Sequence, residues 1–140
     1  MKPLRVRGLA SVLLLACAAG AAGADERVVE AYFLNHLPNG SDSDPIESAS
    51  MDDRVLCIVV HGTELPEGEH EYHMTITDGR NREVFNYRVP IRGVRGVWMQ
   101  RTWRNYIRTE DAPGTWSFTV EIDGKQVLER DIQVDPPSAK

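Results

Sequence analysis

Cysteine is almost absent, with Cys17 and Cys57 the two in 140 residues. Cys17 falls in an N-terminal segment with the marks of an export signal, so the mature domain keeps Cys57 alone and an intradomain disulfide is excluded. Cys57 sits within Val55-Leu56-Cys57-Ile58-Val59-Val60, where a small buried apolar side chain is expected rather than a reactive thiol. Catalytic signatures are missing too. There is no Gly-x-Ser-x-Gly elbow, no His-Glu-x-x-His, no phosphate-binding glycine loop and no Cys-x-x-Cys. No internal repeat and no long amphipathic helix stand out. The apolar run Leu9 to Ala22 is shorter than the roughly 18 to 20 residues that cross a bilayer, and no basic stop-transfer flank follows it. These absences argue against an enzyme, a coiled coil and a membrane-spanning anchor.

What is present at the N-terminus points to export. Lys2, Arg5 and Arg7 precede the apolar run, and Ala22-Gly23-Ala24 offers the small residues that a signal peptidase accepts before Asp25. Residues 1–24 are therefore expected to be a signal peptide, with release into the periplasm or medium. Leu14-Leu15-Ala16-Cys17 allows a second cut, as a bacterial lipobox that would leave Cys17 lipidated on a membrane and residues 18–24 as a tether. The Ala22-Gly23-Ala24 site fits better, because Leu15 is unusual at its lipobox position. Removal of Lys2, Arg5 and Arg7 leaves 13 basic residues against 21 acidic, a formal charge of −8. Acidity in an exported chain argues against nucleic acid as a partner. The charge is nonetheless uneven, with eight arginines and only Glu83 between Arg80 and Thr109. Cross-strand ion pairing is the expected use of that asymmetry, and a basic binding face is the alternative.

Apolar residues alternate in short runs separated by turn residues, the pattern of half-buried strands. Arg27–Leu34, Arg54–His61, His70–Thr77, Glu83–Val89, Val94–Arg104, Thr115–Ile122 and Gln126–Val134 read as strands. Asp78-Gly79-Arg80-Asn81 and Asp123-Gly124 read as hairpin turns, the second a two-residue turn with positive φ. Arg54–His61 is apolar on both faces and should lie at the centre of the core, while Pro90 should end its strand or mark an edge. Trp103 and Trp116 are the candidate core tryptophans. About seven strands without a helix imply an all-β, antiparallel, immunoglobulin-like β-sandwich over residues 25–134, with a tail at 135–140. The stretch Pro113-Gly114-Thr115-Trp116-Ser117-Phe118-Thr119-Val120 and the following Asp123-Gly124-Lys125-Gln126-Val127-Leu128 resemble the last hairpin of small exported bacterial Ig-like domains. That resemblance covers about the last third of the chain and implies the fold without an activity.

Three constellations could carry function. Val97 to Arg108 packs Trp98, Trp103, Tyr106, Arg101, Arg104 and Arg108 into twelve residues. Period-two alternation puts Val97, Met99, Arg101 and Trp103 on one face and Trp98, Gln100, Thr102 and Arg104 on the other. Exposed tryptophan and arginine are interface anchors, so Trp98, Arg101, Arg104, Tyr106 and Arg108 are the candidate contacts for an envelope protein or an anionic saccharide. Against this stands a strand whose arginines simply stack on its rings and pair with acidic neighbours. His70, His73 and Met74 offer an alternative, since imidazole and thioether suit periplasmic copper, although a strand turns His70 and His73 to opposite faces. No cofactor is otherwise implied. The acidic stretch over residues 35–53 could offer oxygens to calcium, yet it lacks the EF-hand ligand series and reads as a solvated loop. The expectation is an exported, non-enzymatic binding module, with a metal carrier as the alternative.

Overall fold

A computed structural model describes residues 29–37 and 44–139. The export segment, including Cys17, lies outside the described residues. Among them there are eight strands: β1 (Val29–Leu34), β2 (Ser48–Ser50), β3 (Val55–Thr63), β4 (Glu69–Thr77), β5 (Glu83–Arg92), β6 (Val97–Asn105), β7 (Gly114–Ile122) and β8 (Lys125–Asp135). They form a three-stranded sheet in the order β1-β3-β6 and a five-stranded sheet in the order β2-β8-β7-β4-β5. Two facing sheets linked by connections that cross from one to the other make the immunoglobulin-like sandwich expected from the strand pattern. The hairpin β4–β5 stays within the larger sheet, which leaves β6 at the edge of the smaller one.

The core follows from alternation. Leu56, Ile58 and Val60 of β3 face Tyr72, Met74 and Ile76 of β4 and Trp116, Phe118, Val120 and Ile122 of β7, all at most 1% exposed. Cys57 and Val59 on the other face of β3 are equally buried, because Tyr32 and Leu34 of β1 pack beside them in a small second cluster. That accounts for the doubly apolar reading of this strand. The Asp123-Gly124 turn takes the positive φ values expected, 55° and 81°. Gly79 belongs to the β4–β5 turn, where a Cβ would stand 1.8 Å from the Pro113 carbonyl oxygen, so the turn closes directly onto the β6–β7 connection. Pro90 lies in β5, which is an edge strand and continues to Arg92.

Two sequence expectations change. The stretch read as one acidic loop contains β2, paired in parallel with β8 through Ser48↔Gln133, Ala49↔Val134 and Ser50↔Asp135, followed by a single 3-10 turn over Met51–Asp53. Three residues are too few to show a period, and Ala49 and Met51 are buried where the polar surroundings suggested solvent. The tail is also tied down: the Ser138 amide donates to Asp52 at 3.1 Å, and its hydroxyl approaches the same carboxylate at 2.5 Å.

The β6–β7 connection is held by buried polar groups. Asp78 at the end of β4 is fully buried and accepts from the amides of Arg80 (2.9 Å), Arg82 (3.1 Å) and Ala112 (3.0 Å). Burial alone would raise its carboxyl pKa, but the three amide donors and the Arg82 guanidinium outweigh burial and hold it below the ordinary value. Trp116 donates its indole N–H to the Ala112 carbonyl at 2.7 Å, tying the central core ring to the same segment.

Candidate functional site

The register of β6 against β3 decides which side chains of the Trp- and Arg-rich strand are available. Trp98 stands opposite Gly62, where the missing side chain leaves room for an indole on the inner face. It is 6% exposed, meets Tyr72 edge-on at a ring separation of 6.5 Å, and donates to the Thr63 carbonyl at 3.3 Å. Trp98 is therefore a core residue rather than an exposed contact. By the same alternation Trp103, expected in the core, points outward and is 52% exposed. The two tryptophans exchange the roles assigned to them, because both faces of this strand carry one large ring and one arginine.

The remaining candidates separate. Arg104 shares the inner face with Trp98 and reaches Asp111 at 2.5 Å, with side chains 13% and 0% exposed. Asp111 also accepts the Ile107 amide at 2.7 Å, so Arg104 neutralises a buried carboxylate that fastens the loop. Tyr106 lies half-buried, edge-on to Trp116 at 5.5 Å. Its phenol pKa is raised by burial, with the charges of Asp53 and Asp111 adding to the effect. Arg108 is exposed and meets Asp52 at 3.1 Å. Tyr106 and Arg108, with Arg54, Asn105 and Ser138, line an open depression of about 890 Å³ at one end of the sandwich. Arg101 alone of the five sits on the outward face of β6. The structure thus does not bring the five residues into one site.

It brings together a different set. The outward face of β6 presents Val97 (69% exposed), Met99 (46%), Arg101 and Trp103 in alternation. Their cross-strand neighbours on β3 are Thr63, His61, Val59 and Cys57, and beyond them on β1 come Glu30, Tyr32 and Leu34. Leu34, Cys57 and Val59 form an apolar floor, and the exposed β6 side chains stand at its margin. Burial raises the Cys57 thiol pKa, and the positive charge of Arg101 opposes part of that rise. The outer face of the larger sheet is unlike it: Thr115, Ser117, Thr119 and Glu121 of β7 face Gln133, Asp131, Glu129 and Gln126 of β8, a polar and acidic surface. Val97, Met99 and Trp103 were missed as contacts because alternation defines two faces without saying which is inside. The register that sets Trp98 opposite Gly62 fixes which face is inside, and it cannot be read from the strand itself.

Four of the eight arginines in the middle third, Arg82, Arg88, Arg104 and Arg108, find acidic partners among the described residues. Arg88 meets Glu71 across β4 and β5 at 2.8 Å, Arg82 meets Asp78 at 3.6 Å, and Arg104 and Arg108 pair as above. Among the described residues Arg101 forms no ion pair.

The histidines go to structure. His70 places Nδ1 2.7 Å from Asp123 Oδ2 and Nε2 2.7 Å from the Pro66 carbonyl. His73 lies on the other face of β4, with Nδ1 3.0 Å from Glu121 and Nε2 3.0 Å from Asn86, while Met74 is fully buried in the core. These three side chains do not converge. Among the described residues no group of three or more His, Cys, Asp or Glu side chains is placed to hold a metal ion, and no helix is long and apolar enough to cross a membrane.

Fold and face together define an immunoglobulin-like sandwich whose smaller sheet exposes Val97, Met99 and Trp103 on its outer face. Among solved structures it is similar to an immunoglobulin-like protein from Pseudomonas aeruginosa, at 9% identity and a TM-score of 0.45, over 76% of this chain and 91% of that one. It is also similar to β-glucosidase from Listeria innocua in complex with isofagomine, at 12% identity and a TM-score of 0.47, over 81% of this chain. The chain spans 17% of the length of that β-glucosidase. No family model and no curated protein sequence matches.

Proposed function

We propose that the chain is an exported, non-enzymatic binding module of the bacterial envelope, and that its contact surface is the outward face of the β1-β3-β6 sheet. One observation carries the reading: Val97, Met99 and Trp103 remain substantially exposed over an apolar floor, while the opposite outer face is polar. Apolar side chains clustered on one face of a small domain mark an interaction surface, and a tryptophan beside an arginine supplies the anchor type that dominates interfaces. The N-terminal basic, apolar and small-residue pattern supports export. The non-enzymatic reading is supported by the use of both ring nitrogens of His70 and of His73 in bonds to neighbouring strands and loops. A protein partner suits a flat sheet face better than a saccharide, because the surface offers area rather than a cleft.

The test is capture of partners from the envelope of the native host with wild type, Trp103→Ala, Arg101→Glu and the control Glu129→Ala. Trp103→Ala and Arg101→Glu abolish capture while the thermal midpoint moves by only a few degrees, since both side chains are exposed. Capture that survives both changes but is lost with Glu129→Ala overturns the assignment. Loss of folding in Trp103→Ala returns that ring to structure.

A further inference from the structure

The free edge of β6 differs from the other long edge in the protein. β5, at the end of the larger sheet, carries Pro90 near its end and, near its start, an extra residue, Val84, where the register against β4 shifts between Ile76 and Thr77, devices that stop another strand from adding. β6 has neither. Its nine residues pair with β3 from Val97↔Thr63 to Asn105↔Val55 without a bulge, and among the described residues no strand pairs with its other side. Arg104 points inward from this strand, but Asp111 neutralises its charge within the same domain. A long, regular, unpaired edge with apolar side chains on its outward face is a template for main-chain pairing.

From this edge we infer that β6 accepts an extended segment of a partner protein as an added antiparallel strand, and that the segment carries an acidic residue with an apolar residue two positions to either side. The inference rests on the reading of this face as the contact surface. The spacing follows from the pleat. Side chains of an added strand alternate faces as those of β6 do, so the residue opposite Arg101 shares its face with the residues opposite Met99 and Trp103. Among the described residues Arg101 has no ion pair, so an incoming carboxylate would complete it. A second copy of this chain fits poorly. β6 contains no carboxylate, and two copies meeting about Arg101 would set guanidinium against guanidinium.

The experiment titrates the mature protein with the capped peptide Thr-Val-Thr-Asp-Thr-Val-Thr and follows backbone amides by NMR. Saturable shifts confined to residues 97–105 are expected, with the Lys-centred peptide bound about tenfold or more weakly and Arg101→Glu reversing that order. In an antiparallel pair only alternate residues of the peptide turn their N–H groups to the edge. N-methylation of one alternate set therefore abolishes binding, and N-methylation of the other leaves it. Absence of binding, binding indifferent to both methylations, or shifts at β1 or β5 overturns the inference. So does a dimer by sedimentation that Trp103→Glu dissolves, or a sulfated oligosaccharide that competes with native capture while the peptide does not. If the peptide fails while Trp103→Ala still abolishes envelope capture, the contact surface stands and the added strand falls. If both fail, both readings fall.

Discussion

Arg104 tests whether a residue that looks like a surface contact is a structural one. Its side chain is 13% exposed, and the guanidinium lies 2.5 Å from the carboxylate of Asp111, a side chain that is wholly buried. Arg104→Ala leaves Asp111 with the Ile107 amide as a remaining donor and without its counter-charge. Breaking a buried pair from one side costs about 3 to 5 kcal/mol, and the surviving amide bond places this case near the lower figure. For a domain of this size ~3 kcal/mol lowers the thermal midpoint by roughly 12 °C or more. Replacing both partners, as Arg104→Leu with Asp111→Ala, removes the orphaned charge and recovers at least half of the loss. Calorimetry and urea unfolding of the two single variants and the double variant complete the cycle. Independent, additive effects, or an Arg104→Ala midpoint within about 2 °C of wild type, would refute the assignment and return Arg104 to the list of available contacts.

Three further outcomes follow from buried groups. The depressed pKa of Asp78 stabilises the fold above the ordinary value of 3.8, and this contribution is lost as pH falls through the lower folded-state value. Acid unfolding of wild type should therefore be steeper than that of Asp78→Asn below about pH 4, and parallel curves would contradict the three-amide account. The Tyr72 hydroxyl is buried without a hydrogen-bond partner among the described residues, so Tyr72→Phe should be neutral or stabilising by about 0 to 1 kcal/mol in urea unfolding, and a loss above about 2 kcal/mol would reveal a bond. Cys57, buried with a raised pKa and directly opposite Trp103, should react with a thiol reagent only through opening of the domain. Trp103→Ala should speed that reaction without changing the urea midpoint, and unchanged reactivity would show that the ring does not cover the thiol.

Much of the sandwich was legible because its local signals agree. In β7 the inward Trp116, Phe118, Val120 and Ile122 alternate with polar residues, and Asp123-Gly124 supplies the positive φ that the hairpin needs. β2 escaped because its pairing with β8 is set more than 80 residues away in the chain, through three residues with no period. The candidate site was legible as a strand and illegible as a face. Each side of β6 holds a tryptophan and an arginine, so composition could not choose the phase, and the choice came from Gly62 across the ladder. Arg104 was misread for a related reason: Asp111 follows after a loop, and only folding makes it the buried partner of this arginine.

Partners are proposed to approach the β6 face. Site-specific photo-crosslinking in intact host cells tests it most directly, with the reactive side chain placed at position 103 in one variant and at position 129, on the polar outer face, in another. A discrete adduct is expected from position 103 and none from position 129. An adduct from 129 with none from 103 would contradict it.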